Sequence, residues 1–126
     1  MGLDKLAGFE RQNYLNLETF RKNGEGVKTP VWFMRCTDVL YVRTIQNSGK
    51  VKRIRRNANV RIVPCSNNGK VLGEWVEAEV LETKDPRQVE EAAYLANKKY
   101  GFFNWIFSTV NRLSRNSYAT LVIRLK

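Results

Sequence analysis

The chain contains no histidine and only two cysteines, Cys36 and Cys65. Without histidine there can be no Ser-His-Asp or Cys-His catalytic pair, no histidine-bearing zinc site and no HExxH helix. Two cysteines are too few for an all-cysteine structural metal site, and they do not form a CxxC motif. Each lies in a segment with strand character, so buried free thiols are expected rather than a disulfide, as suits a reducing cytoplasm. No run of about 18 apolar residues occurs and no signal peptide is recognisable, so neither a membrane span nor secretion is expected. Position 6 after Met1-Gly2 is Leu6, which removes the myristoylation signal.

Acidic residues are missing from one long stretch. Between Val39 and Gly73 there is no Asp or Glu, while eight of the 22 Lys and Arg fall there; they carry most of the net charge of +10. Basicity confined to one region points to an anionic partner for that region. The 126 residues, 43% of them hydrophobic, predict one domain spanning 1–126 with a core of its own.

The basic region centres on Thr44 to Arg56 (TIQNSGKVKRIRR). A segment with strand alternation reaches Thr44-Ile45, turns at Asn47-Ser48-Gly49 and continues as a short helix. In that helix Val51 and Ile54, three apart, share one face and leave the cations on the others. A turn with free N–H groups, a hydroxyl and a helix start bearing Lys and Arg suits a phosphate or carboxylate. The other reading of these residues is a solvated basic helix following a hairpin.

Around this centre the chain alternates in short strands. Residues 3–12 predict a short helix with Leu3, Leu6 and Ala7 on one side. Tyr14 to Arg21 places Leu15, Leu17 and Thr19 on one strand face and breaks at Lys22-Asn23-Gly24-Glu25-Gly26. Val27 to Arg35 reads as one strand, an edge or a bulged one because Pro30 cannot donate to a ladder. A turn at Cys36-Thr37-Asp38 leads into Val39 to Ile45. Val60 to Ser66 and Val71 to Glu82 flank Asn67-Asn68-Gly69, a hairpin signal. Asp85 caps a helix with Pro86 in its first turn and Val89, Ala92, Ala93 and Ala96 at helical spacing, closed by Gly101. A further helix over 102–113 and a closing strand over Tyr118 to Leu125 complete the order. Six short strands in hairpin order predict a mainly β, α+β domain built as a small antiparallel barrel, since a parallel sheet needs a helical crossover between every pair.

Four pieces standing in order carry a family resemblance: Thr19-Phe20-Arg21-Lys22-Asn23-Gly24; Thr29-Pro30-Val31-Trp32-Phe33; Thr44 with Ser48-Gly49-Lys50-Val51-Lys52-Arg53-Ile54-Arg55; and Val60 to Pro64 with Cys65, Gly69 and Gly73. Over roughly Tyr14 to Glu82 the chain resembles the pyridoxamine 5′-phosphate oxidase-like split-barrel flavoproteins, and among them the deazaflavin (coenzyme F-420) dependent oxidoreductases. The resemblance implies a six-stranded antiparallel split β-barrel of the FMN-binding kind. It also implies a homodimer with cofactor sites between subunits, and a bound coenzyme F-420 or flavin mononucleotide (FMN) exchanging a hydride with a small organic substrate. By the same resemblance Thr44, Ser48, Gly49 and Lys50 hold the cofactor phosphate, Lys52 adds a second anion contact, and Thr29, Pro30 and Val31 run beside the ring. Arg53 is expected toward solvent, with Lys50 and Lys52 on the exposed side of the helix. Arg43 and Arg61 flank the site and suit a ligand with several negative charges. Trp32, Trp75 and the aromatic run Tyr100 to Phe107 are expected in packing, and Arg21 in a loop. No catalytic residue is assigned. A carrier that binds cofactor or haem without turnover is the alternative, and a nucleic-acid binder a more distant one, because the charges gather at one turn instead of along a stripe.

Overall fold

The computed structural model describes residues 4–101, 103, 105, 106 and 117–126. Seven strands form one antiparallel sheet: β1 (Tyr14–Phe20), β2 (Gly26–Trp32), β3 (Met34–Cys36), β4 (Val39–Ile45), β5 (Asn59–Cys65), β6 (Val76–Thr83) and β7 (Tyr118–Leu125). Their spatial order is β2-β1-β5-β6-β7-β4-β3. The two edge strands, β2 and β3, are consecutive in the chain and separated by Phe33 alone. A flat sheet cannot satisfy that connection. The sheet rolls until its edges approach, with β2 lying against β4, and the result is a curled, split barrel.

The strand count is one above expectation because Val27 to Arg35 is not continuous. It breaks at Phe33, whose ring is buried against Phe9 in an edge-to-face pair 5.9 Å apart. Inside the roll lie Leu15 and Leu17 of β1, Leu40 and Val42 of β4, Val60 and Ile62 of β5, and Leu121 and Ile123 of β7. These alternate along each strand, as a pleat with one face in the core requires.

Two helices cover the barrel. The first, α1 (Gly49–Arg56), buries Val51 and Ile54 as their spacing predicts. The second, α2 (Pro86–Tyr100), starts where Asp85 accepts a hydrogen bond from Arg87 N–H at 3.0 Å and ends at Gly101, whose φ of 52° favours glycine. It packs Ala92 and Ala96 against Met34, Tyr41 and Val122, small residues allowing a close approach to the sheet; Val89 remains exposed. Of the helix expected over 102–113, Phe103, Trp105 and Ile106 are helical and exposed, and the rest lies outside the described residues.

Two further expectations are corrected. The predicted N-terminal helix is a single 3-10 turn, Ala7–Phe9, long enough to bury Leu6 and Phe9; Leu3 lies outside the described residues. The arm predicted from Val71 begins as a strand only at Val76: before it, one bridge joins Cys65 to Val71, and the loop from Ser66 runs over the outer face of β1. There Trp75 lies beneath Lys28 and Arg61, and Gly69 meets Pro30 and Asn16. Both cysteines are free thiols, Cys65 buried and Cys36 partly so.

Candidate functional site

The sheet's roll brings the end of β4 beside β2, and α1 crosses the seam. A cavity of about 350 Å³ opens there. Pro30, Val31 and Trp32 of β2, Ile45 of β4 and Tyr14 of β1 form its apolar wall, and Thr44, Lys50 and Arg43 its polar end. This volume falls at the lower end of small-molecule and cofactor sites. Of the residues expected at a cofactor, Pro30, Val31, Thr44 and Lys50 meet here. Thr29, Ser48, Gly49 and Lys52 do not line the cavity: Thr29 pairs with Leu17 on the core side of β2, and Lys52 is exposed on α1.

The polar end is organised by α1. Lys50 is half-buried, against expectation, because Nζ turns back to donate to Thr44 Oγ1 at 3.0 Å. Burial pushes its pKa down, and the neighbouring Arg53 pushes it further in the same direction. Arg53 also departs from expectation. Instead of entering solvent it donates from Nε to Thr19 Oγ1 at 2.6 Å. Its own pKa is lowered by burial and then by Arg21 and Arg56. Arg53 stands four residues after Gly49, so the helical period places it over the first turn, and a Cβ on Gly49 would come within 2.8 Å of its Nη1. Only the far end of a flexible side chain stands in that space.

Ser48, the N-cap of α1, makes no side-chain capping bond, and its buried Oγ has no hydrogen-bond partner among the described residues. A helix start without an acidic residue, a hydroxyl without a partner and two cations bonded only to neutral threonines are all gathered at one place. Among the described residues no carboxylate pairs with Lys50 or Arg53. An anion at this point would satisfy the free N–H groups of the helix, the Ser48 hydroxyl and both charges at once.

The remaining basic residues divide. Arg61 is not at the site: it sits in an ion pair with Glu18 at 2.6 Å, on the outer face of β1 and β5, and 5.2 Å over the Trp75 ring. Arg55 makes two bonds to Glu82, at 2.8 and 2.9 Å. Arg43 does line the cavity and lies 4.7 Å over the Tyr118 ring, its pKa lowered by burial. Arg21 pairs with Glu25 in its loop, as expected for a loop cation.

Sequence reading missed Tyr14 and gave Trp32 a packing role. Trp32 does stack on Tyr100, ring centroids 4.3 Å apart and planes 7° from parallel, and it also walls the cavity. The signal for Tyr14 was available in principle: its partner across the ladder is Trp32, and paired residues share a face.

No family model matches the chain, and no curated protein matches it in sequence. Solved structures do match in shape. The chain superposes on HutZ, a haem storage protein of Vibrio cholerae, with a TM-score of 0.72 at 10% identity, over 93% of this chain and 84% of that one. A proposed pyridoxamine 5′-phosphate oxidase from Listeria innocua matches with a TM-score of 0.67 at 12% identity, over 96% and 90%. Its fold is that of the pyridoxamine 5′-phosphate oxidase-like split barrels. An F-420 reductase with this split barrel also matches, with a TM-score of 0.62 at 17% identity over 100% of this chain and 96% of that one. Among the described residues of this split barrel, no helix is long and apolar enough to cross a membrane.

Proposed function

We propose that the chain is a flavin or deazaflavin dependent oxidoreductase of the cytoplasm, its cofactor phosphate at the start of α1 and its ring along β2. One observation carries this reading. Lys50 lines the polar end of a cavity whose other walls are apolar, and Arg53, like Lys50 without a carboxylate among the described residues, stands behind it at the start of α1 with the Ser48 hydroxyl. The residues fit such a group: Ser48, Gly49, Lys50 and Arg53 would hold the phosphate, with Thr44 orienting Lys50. Pro30 and Val31 would flank the ring, Thr29 would hold their strand from its core side, and Lys52 would be the outermost contact to an anionic tail. A bound reduced flavin or deazaflavin supplies the hydride, so the chain needs no histidine of its own. What the chain supplies is binding, orientation and a dry wall.

The distribution of charge speaks against a nucleic-acid surface. Arg55 and Arg61 are neutralised by Glu82 and Glu18, which interrupts the run of positive charge that a nucleic-acid backbone would follow. The family resemblance carries a further proposal, a homodimer in which a second copy closes the cavity. A monomeric mass by sedimentation at micromolar concentration would remove that part.

Fluorescence-quenching titration with coenzyme F-420 and with FMN tests the reading. Saturable binding of one of them, one per chain and weakened tenfold or more in Lys50→Met, is the expected result; binding of neither overturns it. Turnover is read by following reduced cofactor with an unsaturated carbonyl acceptor. Oxidation no faster than in protein-free solution would leave a carrier in place of an enzyme.

A further inference from the structure

A second cavity, of about 390 Å³, adjoins the first one at Tyr14 and Trp32. Asn13, Lys99, Tyr100 and Phe103 complete it. The two cavities therefore share two aromatic side chains, Tyr14 and Trp32.

Among the described residues, the one charged group in its lining is Lys99. The residue as a whole is exposed, yet its Nζ points inward: it donates to Phe33 O at 2.8 Å and lies 3.6 Å over the centre of the Phe33 ring and 5.3 Å over that of Tyr100. Aromatic faces and one carbonyl oxygen are weak compensation for a desolvated ammonium. Among the described residues no carboxylate pairs with it. Burial holds its pKa down to about 8, so at pH 7 it is still charged.

Part of this arrangement is structural. The break at Phe33 leaves backbone groups without a ladder partner. Tyr100 meets that need: its hydroxyl accepts from Phe33 N–H at 2.9 Å and donates toward the carbonyl oxygens of Phe33 and Asn13 at 2.8 Å. The one hydroxyl proton is shared between those two oxygens, and Lys99 supplies a second donor to Phe33 O. Its bond to that oxygen uses one of three N–H groups and fixes the ammonium in the cavity, with two N–H groups to spare.

We propose that this second cavity binds a planar conjugated carboxylate that packs on the aromatic lining formed by Tyr14, Trp32 and Tyr100 and accepts hydrogen bonds from Lys99 Nζ. A flat ligand suits aromatic walls, and an anion suits a fixed ammonium with no acidic partner. Binding of a carboxylate beside Lys99 does not depend on a cofactor in the neighbouring cavity.

The test is calorimetric titration at pH 7 of the full chain with 2-naphthoate and with its uncharged analogue 2-naphthamide, each with and without saturating cofactor. Expected are a preference for 2-naphthoate of tenfold or more, loss of that preference in Lys99→Met with 2-naphthamide binding unchanged, and unchanged cofactor affinity in the same variant. Phe103→Ala, an exposed position where folding is not at stake, should weaken both ligands alike. Equal affinity for the two ligands in the wild type, or a preference that survives Lys99→Met, overturns the proposal. So does a preference lost in Lys50→Met instead, which would place the ligand in the first cavity. Cofactor binding with no effect of Lys99 removes the second cavity alone, whereas a Lys99 effect without cofactor binding removes the cofactor reading and leaves the carboxylate site standing.

Discussion

Arg53 Nε donates to Thr19 Oγ1 at 2.6 Å, and that bond holds a guanidinium above Gly49, at the positive end of its own helix. Charge is arranged there against itself. The first turn of α1 already carries partial positive charge, Lys50 adds a whole one and Arg53 another; burial and then Arg53 lower the pKa of Lys50, and burial and then Arg21 and Arg56 lower that of Arg53. Local repulsion of this kind is stable only because the surrounding fold imposes it, and an anion would relieve it.

Removing Arg53 should therefore separate binding from stability. In Arg53→Met the unfolding free energy is expected to stay within about 0.5 kcal/mol of wild type, because the lost bond to Thr19 is offset by relief of repulsion. Anion affinity should fall by about 1.5–3 kcal/mol, the usual worth of a charge-assisted hydrogen bond. The readout is the rise in Tm on adding inorganic phosphate, which should be large in the wild type and much reduced in the variant. An equal rise in both would take Arg53 out of the site.

Ser48→Ala offers a second separation. Replacing an N-cap serine ordinarily costs about 1 kcal/mol. Here the hydroxyl makes no capping bond and is buried without a partner, so the substitution should be neutral or slightly stabilising in urea unfolding, while the phosphate-induced rise in Tm shrinks. A destabilisation near 1 kcal/mol would mean that the hydroxyl caps the helix after all.

On the opposite face of β1, Glu18 is buried and held by Arg61, and Gly26, paired with Phe20 at the end of the ladder, is its diagonal neighbour on β2. A Cβ at Gly26 would come within 2.7 Å of Glu18 Cδ, and the carboxylate cannot swing away without breaking its ion pair. Gly26→Ala should cost about 1–3 kcal/mol through overpacking. Arg61→Met should cost about 3 kcal/mol, the low end for stranding a buried charge, because Arg61 itself is partly open to solvent. Neither variant should alter cofactor affinity, since Arg61 is outside the cavity; a loss of affinity in a folded Arg61→Met protein would contradict its placement.

Stability should depend on pH in two opposed ways. Lys99, with a pKa near 8 in the folded chain and near 10.4 when unfolded, binds its proton more tightly in the unfolded state, so it destabilises below pH 8 and stability rises between about pH 8 and 10.4. Tyr41 and Tyr100 act in reverse. Burial raises both above the ordinary value near 10, with Glu91 adding to the shift at Tyr41, so their contribution is lost as pH climbs past 10. Urea-unfolding free energies at pH 7, 9 and 11 should rise and then fall in the wild type. The rise from 7 to 9 should flatten in Lys99→Met while the alkaline fall persists.

The sequence by itself determined what depends on local pattern. Alternation in Tyr14 to Phe20 and Val39 to Ile45, the Asp85 cap with Pro86, the Gly101 stop, and the 51 and 54 spacing all lie within one element, where period and capping chemistry act directly, and each stands as read. The absence of acid from Val39 to Gly73 marked the region in which the uncompensated charges lie. Only the tertiary structure decided which cations remained uncompensated, because Glu18 and Glu82 reach Arg61 and Arg55 across 43 and 27 residues of chain. It decided also that Val27 to Arg35 must break, since Phe33 joins opposite edges of a rolled sheet, and that Tyr100 and Lys99 come to that break from 67 and 66 residues away. Such pairings are made by long-range packing, and no spacing along the chain records them.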